Sequence, residues 1–219
     1  MSQINDHHFD VTEIDGFLQK SIATVTIDDW TALSTETVTV DGTVLTEGTE
    51  WDAEKNNKTT ANNLKVAIDK LSGFKATRED NVVTIYVDGI GAALDAATLA
   101  SSASGAGITL SGAVFTGGAD TVYTPWYDTF ESQDVEQILE VNTGGLGGTT
   151  PTLDVTPQYT ADGGVNVHDD SVVFAQITSA PGSETINRGL TGAQRRFKVE
   201  LGGTDPVWTN GRLHALPKA

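Results

Sequence analysis

Apolar and polar residues alternate in short runs along most of this chain, which is the period of half-buried β-strands. In the first half the alternation runs through Ile22-Ala23-Thr24-Val25-Thr26-Ile27 and again through Thr37-Val38-Thr39-Val40. Asp41-Gly42 follows the second run and predicts a tight hairpin returning through Thr43-Val44-Leu45. The period then changes: Leu64, Ala67, Ile68 and Leu71 recur at helical spacing, with Thr59 or Thr60 as N-cap and Gly73 as the stop. Residues 74–78 and 82–87 predict a second hairpin about Glu79-Asp80-Asn81, and 108–110 and 113–115 two short late strands. One amphipathic helix covering one face of a small sheet makes this half an α+β unit.

The second half predicts strands at 137–141, 153–159, 165–168, 172–177, 195–201 and 207–216. That many short strands in about a hundred residues suit an antiparallel β-sandwich of immunoglobulin-like or jelly-roll type. Gly148-Thr149-Thr150-Pro151 and Gly202-Gly203-Thr204-Asp205-Pro206 read as tight loops joining those strands. Pro157 shares a face with Leu153, Val155 and Tyr159, which predicts an edge or bulged strand because proline donates no ladder hydrogen bond. The expected organisation is therefore an arm at 1–20, an α+β domain at 21–120 and a β-sandwich at 121–219, mainly β with one helix. Ile4, Phe9, Val11, Ile14, Phe17 and Leu18 make the arm more apolar than a free tail requires, and Asp10 with Glu13 predicts one capped helical turn. Folding back on its own domain and ordering on a partner are both open readings of the arm.

At 219 residues and 38% hydrophobic content the chain has the material for two real cores. It contains no cysteine, so disulfides and thiolate chemistry are excluded and stability must come from packing and assembly. The start lacks the basic and apolar stretches of a secretory signal, and no run is apolar enough to span a bilayer, so a soluble product without membrane contact is expected. A formal net charge of -17 argues against direct nucleic-acid binding. Charge is also unevenly spread: no lysine or arginine falls between Arg78 and Arg188, whereas Arg188, Arg195, Arg196, Lys198, Arg212 and Lys218 gather near the end. Such polarity can steer a copy or partner into place.

Candidate chemistry is sparse. His7-His8 and His168-Asp169-Asp170 offer ligand types without helical His-x-x-x-His spacing, and no Gly-x-Ser-x-Gly elbow occurs. Gly89-x-Gly91 and Gly144-Gly145-Leu146-Gly147-Gly148 lack the phosphate-loop lysine, and Asp28-Asp29 is an ordinary acidic turn pair. No catalytic residue, cofactor or metal is expected. Ile4, Phe9, Ile14, Phe17, Leu18, Trp126 and Trp208 are the candidate partner-interface residues, the last two because tryptophans anchor contacts between subunits.

Val38-Thr39-Val40-Asp41-Gly42-Thr43, Thr60-Ala61-Asn62-Asn63-Leu64, Asn81-Val82-Val83-Thr84-Ile85 and the closing Gly117-Gly118-Ala119-Asp120 resemble a module recurrent in tailed-bacteriophage structural proteins. Thr149-Thr150-Pro151-Thr152-Leu153-Asp154-Val155-Thr156, with Arg195-Arg196-Phe197 and the second Gly-Thr-x-Pro loop, resembles small β-sandwich proteins encoded among phage head and tail genes. The resemblance implies a virion structural protein assembled in the host bacterial cytoplasm, of which a head decoration (cement) protein is the favoured form. Its implied partners are the major capsid protein or other virion subunits, and its implied state is a homo-oligomer, a trimer being one form. A tail tube or tail-tip subunit, and a carbohydrate-binding module using loops near Thr149-Thr150-Pro151 and Asp162-Gly163-Gly164, are the alternatives.

Overall fold

The computed structural model describes residues 7–11, 17–128, 134–189 and 194–217. It is mainly β, with one α-helix and antiparallel sheets among the described residues. The chain divides into two compact units. One takes Lys20–Asp88 and Leu94–Gly118; the other takes the first nineteen residues, Gly89–Ala93 and Ala119–Ala219. The described start of the chain is a strand, β1 (His7–Asp10), that belongs to the later unit.

The earlier unit contains β2 (Ile22–Ile27), β3 (Thr37–Val40), β4 (Thr43–Thr46), α1 (Asn57–Ile68), β5 (Phe74–Glu79), β6 (Val82–Val87), β7 (Leu99–Ser101) and β8 (Ile108–Leu110). They form a four-stranded sheet ordered β5-β6-β2-β8 and a three-stranded sheet ordered β4-β3-β7. Val40 pairs with Thr43, so Asp41-Gly42 is a two-residue turn, and both residues take the positive φ that a hairpin of that length demands. Helix α1 packs on β2, β5 and β6, burying Leu64, Ala67 and Ile68 against Val25, Ile27, Val83 and Ile85. Its N-cap is Asn56 rather than Thr59 or Thr60: the Asn56 side-chain Oδ1 accepts the Thr59 N–H at 2.9 Å. Thr60 is buried and its hydroxyl is spent on the backbone of Glu54, so it cannot cap. The helix ends at Ile68 before Gly73, which turns the chain into β5 at φ +84°. Residues 113–115 are not a strand: Val114 bridges Thr98 while Thr116 bridges Ile22, so the segment passes from one sheet to the other.

The later unit adds β9 (Thr121–Tyr123), β10 (Tyr127–Asp128), β11 (Asp134–Val141), β12 (Leu146–Thr160), β13 (His168–Asp169), β14 (Gly182–Gly189), β15 (Gln194–Trp208) and β16 (Gly211–Pro217). One sheet is ordered β1-β16-β11-β14; the other is ordered β10-β15-β12-β13, with β9 also on β15. Phe9, Val135, Leu139 and Leu213 from the first share one core with Val122, Leu153, Val155, Phe197 and Val199 from the second, which makes this unit a β-sandwich. The links β11–β12 and β15–β16 each cross between sheets and are bonded to each other: Asn142 N–H donates to the Asn210 carbonyl, and Thr209 N–H to that of Gly145. Trp208 is fully buried beside this corner, with Phe17 edge-on to its indole at 5.7 Å.

Several expectations about this unit need correction. The Gly148 and Gly202-Gly203 segments do not join strands; they lie in the middle of β12 and β15 and face each other, with Thr149 opposite Thr204 and register shifts on either side. Gly148 (φ +109°) and Gly203 (φ +110°) accept this paired bulge because a Cβ on either would come within 2.7 Å of a carbonyl oxygen of the facing strand. Residues 165–168 and 172–177 are also largely irregular, Ile177 making a single bridge to Leu153. The arm is no free tail where it is described: β1 pairs with β16, and Phe9, Val11 and Phe17 are buried in the sandwich core. Asp10 stands in that strand and not in a helical turn.

Pro157 sits opposite Phe197 inside β12. The Phe197 N–H and C=O turn to Thr124, away from β12, so no ladder bond to Phe197 is lost at this pair. The Pro157 carbonyl accepts the Asp170 N–H at 2.8 Å, where the short β13 ladder has ended.

Leu64→Ala should destabilise the earlier unit by about 2–5 kcal/mol, the cost of a buried leucine truncation. Val66→Ala, on the exposed side of the same helix, should change it by less than about 0.5 kcal/mol. Urea unfolding of the two variants checks the contrast.

Candidate functional site

The side chains of β15 alternate between the inner and outer faces of its sheet, and each face holds a polar cluster. Arg195, Phe197, Val199 and Leu201 point inward, and Arg196, Lys198 and Glu200 point outward. Arg195 therefore enters the core with the apolar residues. It is 1% exposed and donates from Nη1 to Asp170 Oδ2 at 2.8 Å, forming a buried ion pair that ties β15 to the segment after β13. Tyr127 lies opposite Arg195 on β10, and its hydroxyl accepts from Gln137 Nε2 at 3.2 Å. Burial pushes the Tyr127 phenol up to about 12, against the opposing effects of the Gln137 hydrogen bond and the Arg195 charge. Among the described residues Gln137 Oε1 and Arg195 Nε are buried without a hydrogen-bond partner, so this polar cluster costs desolvation that the pairing only partly offsets.

The outward face carries a connected chain of planar side chains. The Arg196 guanidinium lies 4.1 Å from the Tyr123 ring centroid and 4.5 Å from that of Trp126. Its Nε donates to Gln158 Oε1 at 2.8 Å, and Gln158 Nε2 donates to Asp169 Oδ1 at 2.8 Å. Tyr123, Trp126 and Arg196 are half-buried, so each ring and the guanidinium keep some exposed surface. The Asp162-Gly163-Gly164 turn closes one side of this cluster, with Gly164 against the Trp126 indole. Asp162 accepts from Thr160 Oγ1 and from the Asn166 backbone and side chain, and these hydrogen bonds hold its carboxyl down at about 2. Alongside, Lys198 pairs with Glu200 at 2.9 Å, and that hydrogen bond raises the lysine.

The expected interface residues separate into three groups. Phe9, Phe17 and Trp208 are core residues of the sandwich, with no surface left to offer. Leu18, 51% exposed, and Trp126 keep accessible area. Ile4 and Ile14 lie outside the described residues, as do Glu13 and Lys218. Four of the basic residues near the end are partnered within the chain: Arg195 by Asp170, Arg196 by the two rings and Gln158, Lys198 by Glu200 and Arg212 by Glu140. Of the acidic pairs, Asp29 caps a 3-10 turn through Thr31, and Asp170 is consumed by Arg195. A cavity of about 430 Å³ at the β11–β14 end is lined by Glu140, Asn142, Pro181, Ser183 and Arg212. Among the described residues no group of three or more His, Asp or Glu is placed to hold a metal ion. No described helix is long and apolar enough to cross a membrane.

Sequence reasoning missed the Arg195–Asp170 pair and the role of Arg196. The signal was present in the alternation itself, since Arg195 shares parity with Phe197, Val199 and Leu201.

No family model and no curated protein matches the chain. Among solved structures, dimeric latent PorU from Porphyromonas gingivalis is similar over 98% of this chain at 10% identity, with a TM-score of 0.23. This chain spans 24% of that one, and a likeness of this size carries no argument about fold or function.

Two outcomes follow from the inner cluster. Because the folded Tyr127 value lies above the unfolded one of about 10, its contribution to stability is complete below pH 10. It is lost as pH rises from about 10 through about 12, on the order of 2–3 kcal/mol in all. Tyr127→Phe should flatten stability over that range, read by chemical unfolding at a series of pH values. Arg195→Met should cost about 3–5 kcal/mol by stranding Asp170, whereas Arg195→Met with Asp170→Leu should cost much less. Equal losses in the single and double variants would show that the pair is not the source.

Proposed function

We propose that this chain is a structural subunit of a bacteriophage virion, a decoration protein that binds the outer face of the head and stabilises it. The reading rests on the resemblance of sequence stretches in both halves to phage structural proteins. The observation that carries the binding role is the Arg196–Tyr123–Trp126 cluster on the outer face of the sandwich. Tryptophan, tyrosine and arginine dominate the energetics of protein interfaces. Here they are held in place before any partner arrives, by Gln158 on one side and the Gly164 turn on the other, so little ordering entropy remains to be lost on binding. The same unit exposes Val165, Val172 and Val173, adding apolar area beyond the aromatic pair.

The mechanism is mass action. A ligand that binds only the assembled shell stabilises it in proportion to occupancy, and many copies sum that effect over the particle. The chain needs no reacting group for this, only a surface and a fold that survives loading. The partners are major capsid subunits or other virion subunits, with further copies of this chain in a homo-oligomer. A net charge of -17 keeps an exterior protein away from DNA during assembly.

Purified protein added to heads that lack it should saturate a fixed set of sites, and cryo-microscopy should place those sites on the outer surface. Trp126→Ala combined with Arg196→Ala should weaken binding at least tenfold while leaving the fold intact by circular dichroism. Undiminished binding of that variant would move the contact elsewhere on the chain. Assembly of the purified protein into long tubes, or its location on the tail, would replace the head assignment with a tail one.

A further inference from the structure

We propose that His8 and His214 form a two-point chelate for a divalent transition-metal ion, which fastens the first described strand to the last. The two residues are 206 positions apart and are direct cross-strand partners on β1 and β16. Their Nδ1 atoms face each other at 3.0 Å, and the rings meet edge to face with centroids 4.3 Å apart. Both side chains project from the outward face of the sheet, since Phe9 and Leu213 between them are buried.

Two imidazole nitrogens at that separation must share something. Without a metal, one Nδ1 carries the proton and the other accepts it. A metal ion bound to both Nδ1 atoms sits to the side of that line and displaces the proton, which moves through solvent to Nε2 of the same ring, so that both imidazoles stay neutral. With metal–nitrogen bonds of about 2.1 Å, a nitrogen separation of 3.0 Å gives an N–metal–N angle of about 90°. That is the cis angle of tetragonal Cu²⁺ and octahedral Ni²⁺. The tetrahedral angle that Zn²⁺ prefers calls for a separation nearer about 3.4 Å. Asp10 Oδ2 lies 3.9 Å from Nε2 of His8, on the side of the ring away from His214, which places a negative charge beside Nε2 and leaves Nδ1 to the ion. Around the pair, Ile138 of β11 stands opposite His214, and the next row holds Arg212 opposite Asp10 and Glu140, with Arg212 bonded to Glu140. Glu136 lies one row the other way, opposite Leu216. Solvent would supply the remaining ligands.

The functional consequence concerns the edge of the sheet. β1 is a four-residue edge strand, and a bound ion would close the chain's early and late segments into one loop. His7, adjacent in sequence, points the other way and stacks on Tyr127 at 4.8 Å, so it takes no part.

Titration of the full chain with Cu²⁺, followed by calorimetry and electron paramagnetic resonance, tests the site. The expected result is one metal per chain with two nitrogen ligands, weakened at least tenfold by His8→Ala and equally by His214→Ala, and unchanged within twofold by His7→Ala. In the unmodified protein, sub-stoichiometric Cu²⁺ should broaden the amide signals of residues 7–10 and 212–215 together, a readout that needs no variant to fold. Ni²⁺ should bind more tightly than Zn²⁺. Binding that survives His214→Ala, or that falls as much with His7→Ala as with His8→Ala, would overturn the proposal by placing the metal on the local His7-His8 sequence. A Zn²⁺ affinity equal to or above that of Ni²⁺ would overturn the cis geometry.

Discussion

The register of β12 against β15 is the constraint on which the sandwich depends. Twelve positions pair along it, and the inward row Leu153–Leu201, Val155–Val199 and Pro157–Phe197 supplies the centre of the core. Side chains alternate with a period of two, so a slip of one residue would turn Arg196 inward and Phe197 outward. Two features hold the register. The facing bulges at Gly148-Thr149 and Gly203-Thr204 fit only each other, because each glycine lies against carbonyl oxygens of the opposite strand. At the other end the Arg195–Asp170 ion pair is satisfied only when Arg195 points into the core. A buried pair of this kind adds little net stability, since desolvation consumes much of its attraction, but it penalises every arrangement that strands either charge. The inner cluster therefore acts as a device for register, the outer cluster is the contact surface of the proposed decoration role, and both come from adjacent residues of one strand.

Much of the earlier unit was legible in the sequence because its signals are local. Asp41-Gly42 meets the positive φ of a two-residue turn, and the spacing of Leu64, Ala67 and Ile68 marks the buried side of α1. The helix cap was misplaced because a threonine hydroxyl and an asparagine carbonyl are equally good caps in isolation, and only the fold shows that Thr60 is committed to Glu54. In the later unit the strands 134–141 and 194–201 announce themselves by alternation. β14 does not: Gly182–Gly189 holds one buried apolar residue, Ile186, since an edge strand needs few. The Gly/Pro segments misled for a physical reason. Positive φ and a missing Cβ serve a bulge as well as a turn, and the two differ only in what lies opposite.

The candidate sites were less legible than the fold because each is built from long-range pairs. Trp126 stood out by residue type, but nothing in its surroundings foretold Arg196, seventy positions later, lying over its ring. Phe9, Phe17 and Trp208 were expected at a surface because aromatic residues in an arm and after a loop suggest anchors; the structure spends all three on the core. His8 and His214 are the extreme case, being local nonentities that become a pair only when β1 closes against β16.

The distribution of charge takes on a different meaning once these pairings are seen. The late run of basic residues suggested a positive segment able to steer a negative partner. In the folded chain Arg195, Arg196, Lys198 and Arg212 of that run are engaged at short range, by Asp170, the aromatic rings, Glu200 and Glu140 respectively. Opposite charges a few ångströms apart cancel within about a Debye length, so little directed positive field survives at the distances where steering acts. What remains at long range is the excess of acidic residues over the whole chain. In the proposed decoration role, recognition then falls to short-range terms, the ring faces of Tyr123 and Trp126 and the guanidinium that bridges them, which act only after contact. In the decoration role proposed above, such a surface would resist nucleic acid at a distance and commit to its partner by shape, as binding to the outside of a DNA-filled shell requires.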